Sequence, residues 1–259
     1  ADLRGYRALW NYLAGSACYL GAQAGNSSMA AKSRQYFSDA HKCAPTIPWL
    51  TTFARREVSE SVNVQEDDIA LQRQVERLGA ELTRLGATHD RDFAKLEMSI
   101  LDGLRHPDTF EQAQKDLGGL LGFNAGKVES DGSPDPWWIC DTRCIVFEHH
   151  VNAPDGTLHA YKARKASTPR DWLRANISES SQCEFLTVLV TPATKISQAA
   201  LVHAAGLLYW ELGNFCNFAA HALQVVRKLR SSFFEQGDLV WQAQAMEVLK
   251  QQAVDFASI

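Results

Sequence analysis

The chain has 259 residues and a mass of 28.8 kDa, enough to bury a substantial core in one large domain or two ordinary ones. Hydrophobic residues make up 46% and charged residues 22%, which excludes a disordered or low-complexity chain. Lys and Arg number 26 against 30 Asp and Glu, a formal charge of −4; a histone-like polycation is excluded, and any nucleic-acid site has to be a local basic patch.

No stretch approaches the roughly 18–20 uninterrupted apolar residues needed to cross a bilayer. The longest apolar run, 199–210, contains His203. The N-terminus lacks the charged, apolar and small-residue pattern of a secretory signal. It starts at Ala1, which fits processing or a segment of a longer chain. The six cysteines are sparse, and several lie in apolar runs, which predicts free thiols in a reducing cytoplasm.

Residues 1–60 read as a helical hairpin. Leu9, Trp10, Leu13, Cys18 and Leu20 supply an apolar face for its first helix. Gly25-Asn26-Ser27-Ser28 breaks the chain, and a second helix follows through Phe37 and Ala40 to Cys43, where Pro45 stops it. Pro48-Trp49-Leu50 begins a further short segment. Phe37, Ala40 and Pro45 have the spacing of the second helix of a tetratricopeptide-type repeat. A single degenerate copy cannot bury its own face, so an ordinary hairpin packed on another element is the plainer reading.

Residues 61–105 carry the clearest periodicity. Leu71, Val75, Leu78, Leu82, Leu85 and His89 step 4, 3, 4, 3, 4, and Phe93, Leu96, Ile100 and Leu104 continue the stripe. Glu66, Asp67 and Asp68 suit the positive end of a helix dipole. This spacing predicts one long helix over 66–104, weakened by about 1 kcal/mol at each of Gly79 and Gly86. Such a helix either packs on its own chain or pairs two chains as a homodimer.

From 106 to 259 the pattern is mixed. Pro107-Asp108-Thr109 starts a helix through Phe110, Ala113, Leu117 and Leu121. A loop follows at Ser130-Asp131-Gly132-Ser133-Pro134. Strands are expected at 137–140 and 144–148, joined around Asp141-Thr142-Arg143, then at 158–162 after an Asp155-Gly156 turn. A short helix at 169–176, a strand at 185–190 and helices at about 195–211, 214–234 and 238–256 complete the chain. The fold class is mixed α/β, with an α-β-β-β-α-β core flanked by helices.

That order, with acids at set places, resembles the PD-(D/E)XK restriction-endonuclease-like nucleases. The residues that carry the resemblance are Pro134-Asp135 before one strand, Glu148-His149-His150 at the end of the next, and Glu111 on the preceding helix. Lys165 lies seven residues before Trp172, where these nucleases often place a polar residue on their second core helix. The resemblance spans 106–215. It implies Mg²⁺ or Mn²⁺ held by Asp135, Glu148 and Glu111 and by the backbone carbonyl of His149, for hydrolysis of DNA phosphodiester bonds. It also implies a lysine two residues after the glutamate. Here that position is His150, whose imidazole suits a base, a metal ligand or a site that has lost activity; Lys162 or Lys165 is the candidate for a displaced lysine.

Lys162, Arg164, Lys165, Arg170 and Arg174 form a basic patch just after these residues, suited to holding phosphates or to a solvated face. A zinc set from Cys140, Cys144, His149 and His150 is disfavoured, because adjacent strand residues point to opposite faces and no C-x₂-C knuckle is present. Arg227, Lys228 and Arg230 near a helix end read as complements of its dipole. No phosphate-binding loop with lysine, nucleophile elbow or H-E-x-x-H is present. The leading expectation is therefore a metal-dependent deoxyribonuclease, by analogy the end of a bacterial helicase–nuclease or ATPase–nuclease of anti-plasmid or anti-phage defence. The alternative is an inactive nuclease fold used for DNA binding or assembly, with His150 as the feature in its favour.

Overall fold

The computed structural model describes residues 3–26, 28–47, 49–50, 53, 66–86, 89–129, 134–151, 156–166 and 169–259. The loop expected at Ser130 to Ser133, and Asp155 of the expected turn, lie outside the described residues. The chain forms two compact units, Ala1–Asp68 with Asp238–Gln244, and Ile69–Gly237 with Ala245–Ile259. Among the described residues, no helix is long and apolar enough to cross a membrane.

The first unit is built on α1 (Arg4–Gln23) and α2 (Ser28–Cys43). The buried face of α1 is not the one its leucines suggest. Trp10 is 67% exposed and Leu9 50%, whereas Ala8, Gly15, Ser16, Tyr19 and Ala22 are buried. Small residues win because the two helices come close: a Cβ on Gly15 would lie 2.8 Å from the Phe37 ring, and Ser33 Oγ donates to Gly15 O at 2.9 Å.

The second unit is a mixed α/β fold. Its helices are α3 (Glu66–Leu85) from Ile69 on, α4 (Arg91–Gly103) and α5 (Pro107–Leu120) before the sheet and α9 (Leu212–Ser231) after it; the boundary between the units crosses α10 (Leu239–Gln251), whose part from Ala245 on belongs here. The single helix expected over 66–104 is two helices. Gly86 adopts φ +87 and ends the first, and Arg230 from α9 donates to Gly86 O at 2.8 Å and His89 O at 2.7 Å. Arg230 and Arg227 also pair with Asp90, and Arg227 pairs with Glu97, so these cations hold α4 rather than only complementing a dipole. Leu71, Val75, Leu78, Leu82 and Leu85 are buried in their own chain. The division into units therefore places 69–103 with the sheet rather than in a separate helical part.

The sheet has the order β1-β2-β3-β5-β7. β1 (Asn124–Gly126), β2 (Trp137–Cys140) and β3 (Arg143–His149) form an antiparallel meander. Asp141, in the left-handed region at φ 53, turns β2 into β3, a conformation aspartate tolerates better than most residues. β5 (Glu184–Thr191) returns parallel to β3, and β7 (Leu207–Glu211) adds parallel to β5.

Two sequence expectations are corrected here. Residues 158–162 are not a third sheet strand. Only β4 (Thr157–Leu158) is extended, pairing with β6 (Lys195–Ile196), and α6 (Ala160–Lys165) is already helical. Residues 195–211 are not one helix either. A four-residue helix, α8 (Leu201–Ala204), gives way at Gly206, φ +88, and the apolar run that follows is the strand β7.

Strand alternation sorts the core into two layers. Trp137, Ile139, Cys144 and Val146 face α7 (Pro169–Asn176), packing with Leu173 and Trp172. Trp138 and Phe147 face the other way, 4.7 Å apart between centroids, with Phe123 stacked on Trp138 and Phe215 edge-on to Phe147. Helix α5 lies close to β2 because Gly118 leaves room: a Cβ there would sit 2.0 Å from Trp138 Nε1. That nitrogen donates to Gln114 O at 3.1 Å. The contact fixes the depth at which α5 presents Glu111 and Gln114 to the end of β3.

Candidate metal centre

The site forms where β3 ends. Glu148 continues the Cys144–Val146 face, and His149 continues the Phe147 face. Asp135, just before β2, reaches both. Its Oδ2 accepts the His149 backbone N–H at 2.8 Å and lies 3.2 Å from His149 Nδ1. Its Oδ1 lies 3.8 Å from Lys165 Nζ, which lies 3.5 Å from Glu148 Oε2. Lys165 thus reaches the sheet end from α6, one turn after Lys162.

Glu111 approaches from α5. Among the described residues, one donor atom each from Glu111, Asp135 and His149 lie within 4.8 Å of one another; Glu148 and His150 are not in that group. Lys127 holds Glu111 at 3.0 Å and Glu129 at 3.1 Å. Neither Lys127 nor Gln114 was singled out in the sequence. The signal for Gln114 is a polar residue one turn after Glu111, on the face of α5 that otherwise carries Phe110 and Leu117. It is fully buried, and its Oε1 lies 2.6 Å from His149 Nε2.

Burial, then the charge of Asp135, pushes the Glu148 carboxyl from 4.5 up to about 7, although Lys165 and Lys162 pull it down. Burial would raise Asp135 too, but its contacts with the side chain and backbone of His149 and the charge of Lys165 hold it below its ordinary value. Lys165 is pulled down by burial, yet Glu148 and Asp135 raise it overall. Lys165 thus lies against both carboxylates, and a bound cation would further offset their charge.

The raised Glu148 carboxyl predicts an unusual pH response in the metal-free protein. Between about pH 4.5 and 7 the folded chain keeps a proton that the unfolded chain has released. Stability from this group therefore falls as pH rises through that window, by at most about 1.4 kcal/mol per pH unit. Asp135 has the opposite sign and acts below its ordinary 3.8, outside the window. Urea midpoints at several pH values should fall more steeply toward pH 7 in wild type than in Glu148→Gln; equal slopes contradict the assignment.

The other sequence candidates divide. Arg164 is exposed and Arg170 half-buried, both on the α6–α7 side of the sheet with Lys162. Arg174 turns away: its guanidinium lies over the Phe185 ring at 4.9 Å. Phe185 pairs with Cys144 and Leu189 with Glu148, so Arg174 sits about four residues, roughly 13 Å, back along the strands. Cys140 and Cys144 are buried core thiols. Burial raises both, Cys140 to about 12, and among the described residues neither joins the donor group of Glu111, Asp135 and His149. No family model, curated protein or solved structure matches the chain.

Proposed function

We propose that the chain is a Mg²⁺- or Mn²⁺-dependent endonuclease that hydrolyses DNA phosphodiester bonds. The observation that carries this reading is the convergence of Asp135, Glu148 and Lys165 at the end of β3, with Glu111 facing them from α5. The order α5, β1-β2-β3, α6 and α7, then β5 parallel to β3 supports the resemblance to the PD-(D/E)XK nucleases.

The donor set fits a hard divalent cation: three carboxylates at one sheet edge. Asp135, Glu148 and Glu111 would hold it, and the ion supplies polarisation of the phosphate and a lowered pKa for water. The part the resemblance gives to the lysine falls to Lys165, not His150. Its ammonium, held between two carboxylates, is placed to hold a water and offset charge on the phosphate. Lys162, Arg164 and Arg170 would position the strand through its phosphates. The buried thiols suit a reducing, cytoplasmic setting.

Lys165→Ala and Lys162→Ala separate these roles. Lys165→Ala is expected to lower the cleavage rate about 10²–10³-fold with little change in DNA affinity. Lys162→Ala is expected to weaken DNA binding and reduce its salt slope by about one unit, with turnover nearly intact. Single-turnover kinetics and binding at several salt concentrations read both effects. Equal, small effects on rate from the two variants would reject the assignment.

A further inference from the structure

We infer that His149 ligates the ion through its imidazole Nδ1, forming with Glu111 and Asp135 a mixed nitrogen–oxygen set that selects Mn²⁺ over Mg²⁺. This rests on the reading that the site takes a divalent cation. The side chain of His149 is 5% exposed. Its Nε2 faces a carbonyl oxygen, Gln114 Oε1, at 2.6 Å, so Nε2 donates, and Nδ1 is the ring atom left to face the carboxylates. Nδ1 is buried and makes no hydrogen bond. It nevertheless lies 3.2 Å from Asp135 Oδ2. Two lone-pair atoms that close repel each other unless a proton or a metal ion lies between them, and an ion shared with the third donor, Glu111, takes the proton's place.

The ring is held for this task from three sides. Gln114 sets its tautomer, as outer partners of metal-bound histidines do. Phe110 packs edge-on at 5.0 Å between centroids. The backbone N–H of the same residue anchors Asp135 at 2.8 Å. Lys127 has a second partner in Glu129, so it can leave Glu111 to the ion without losing its own counter-charge. Mg²⁺ favours all-oxygen octahedra and keeps its waters, whereas imidazole suits transition metals. Glu148, outside this three-atom group and 3.5 Å from Lys165, would join the shell from the other face of β3. His149 would be a metal ligand and Gln114 a positioning residue.

The test is metal binding, read separately from cleavage. Calorimetry on the full chain with MnCl₂ and with MgCl₂ should show Mn²⁺ affinity falling about 10–100-fold in His149→Ala and about 10-fold in Gln114→Met, with Mg²⁺ affinity within about threefold in both. Pulsed EPR of the Mn²⁺-loaded wild type should show nitrogen coupling at the ion; this needs no variant to fold. Absence of that coupling, or equal losses for both ions, would overturn the inference. Metal-dependent cleavage without nitrogen coupling leaves the nuclease reading standing and rejects this one. Nitrogen coupling without cleavage does the reverse.

Discussion

Asp135→Asn is expected to abolish metal-dependent DNA cleavage, by about 10³-fold or more, while the protein stays folded. Asn keeps an oxygen that can accept the His149 N–H, now at 2.8 Å, so the junction between β2 and β3 is preserved. It removes the one charge that faces both halves of the site, Lys165 and Glu148 on one side and His149 on the other. The ion then loses a carboxylate ligand, and with it stabilisation worth several kcal/mol at about tenfold per 1.4 kcal/mol. The substitution does not act by protonating Glu148. Asp135 is among the causes that raise Glu148, so removing its charge lowers that carboxyl and leaves it more ionised at neutral pH. Cleavage rates, with a urea midpoint within about 1 kcal/mol of wild type, check both halves of the expectation.

The largest expected stability effect lies at Gly122. Helix α5 ends there in a Schellman arrangement: Phe123 N–H donates to Gly118 O at 2.9 Å and Gly122 N–H to Gly119 O at 3.1 Å. Gly122 has φ +88, and a Cβ would lie 2.1 Å from Gln74 O and 3.0 Å from Leu78 N. Those are backbone atoms of α3, so no side chain can swing aside. Moving α3 would also disturb the buried Gln74, whose Nε2 donates to Leu121 O at 3.1 Å and Val254 O at 3.0 Å, and whose Oε1 accepts Phe256 N–H at 3.2 Å. A left-handed alanine costs about 1–2 kcal/mol and overpacking about 1–3. Gly122→Ala should therefore lose roughly 2–5 kcal/mol in urea unfolding. Gly119→Ala is the control: its Cβ meets nothing within 4 Å, and inside a helix it is expected to be neutral or stabilising by up to about 1 kcal/mol.

What the sequence made legible was the local pattern. Asp135 and Glu148 could be placed at strand ends because the β2–β3 hairpin writes its own turn, whereas Lys162 and Lys165 stayed alternatives until α6 set Lys165 within 4 Å of both carboxylates. The misses share a cause: each was decided by a distant partner. The stripe from Leu71 to Leu104 is continuous in period, but the cap that Arg230 supplies to Gly86 comes from α9. Leu207 to Trp210 looks helical until β5 is there to pair with it. On α1, exposed Trp10 and buried Gly15 invert the hydrophobic pattern because α2 comes too close for bulk. The approach of the His149 ring to Asp135 is not legible for a related reason. Alternation separates it from Glu148, and only the position of Asp135 at the sheet end, reaching both faces, joins the two sides.

The central claim is metal-dependent hydrolysis at Asp135, Glu148 and Lys165. Cleavage of an end-labelled DNA fragment by the wild-type chain in Mn²⁺ and in EDTA, with Asp135→Asn and Glu148→Gln alongside, tests it most directly. Products are expected only for wild type in Mn²⁺. No cleavage by wild type in Mn²⁺, or cleavage that persists in EDTA or in both variants, would contradict it.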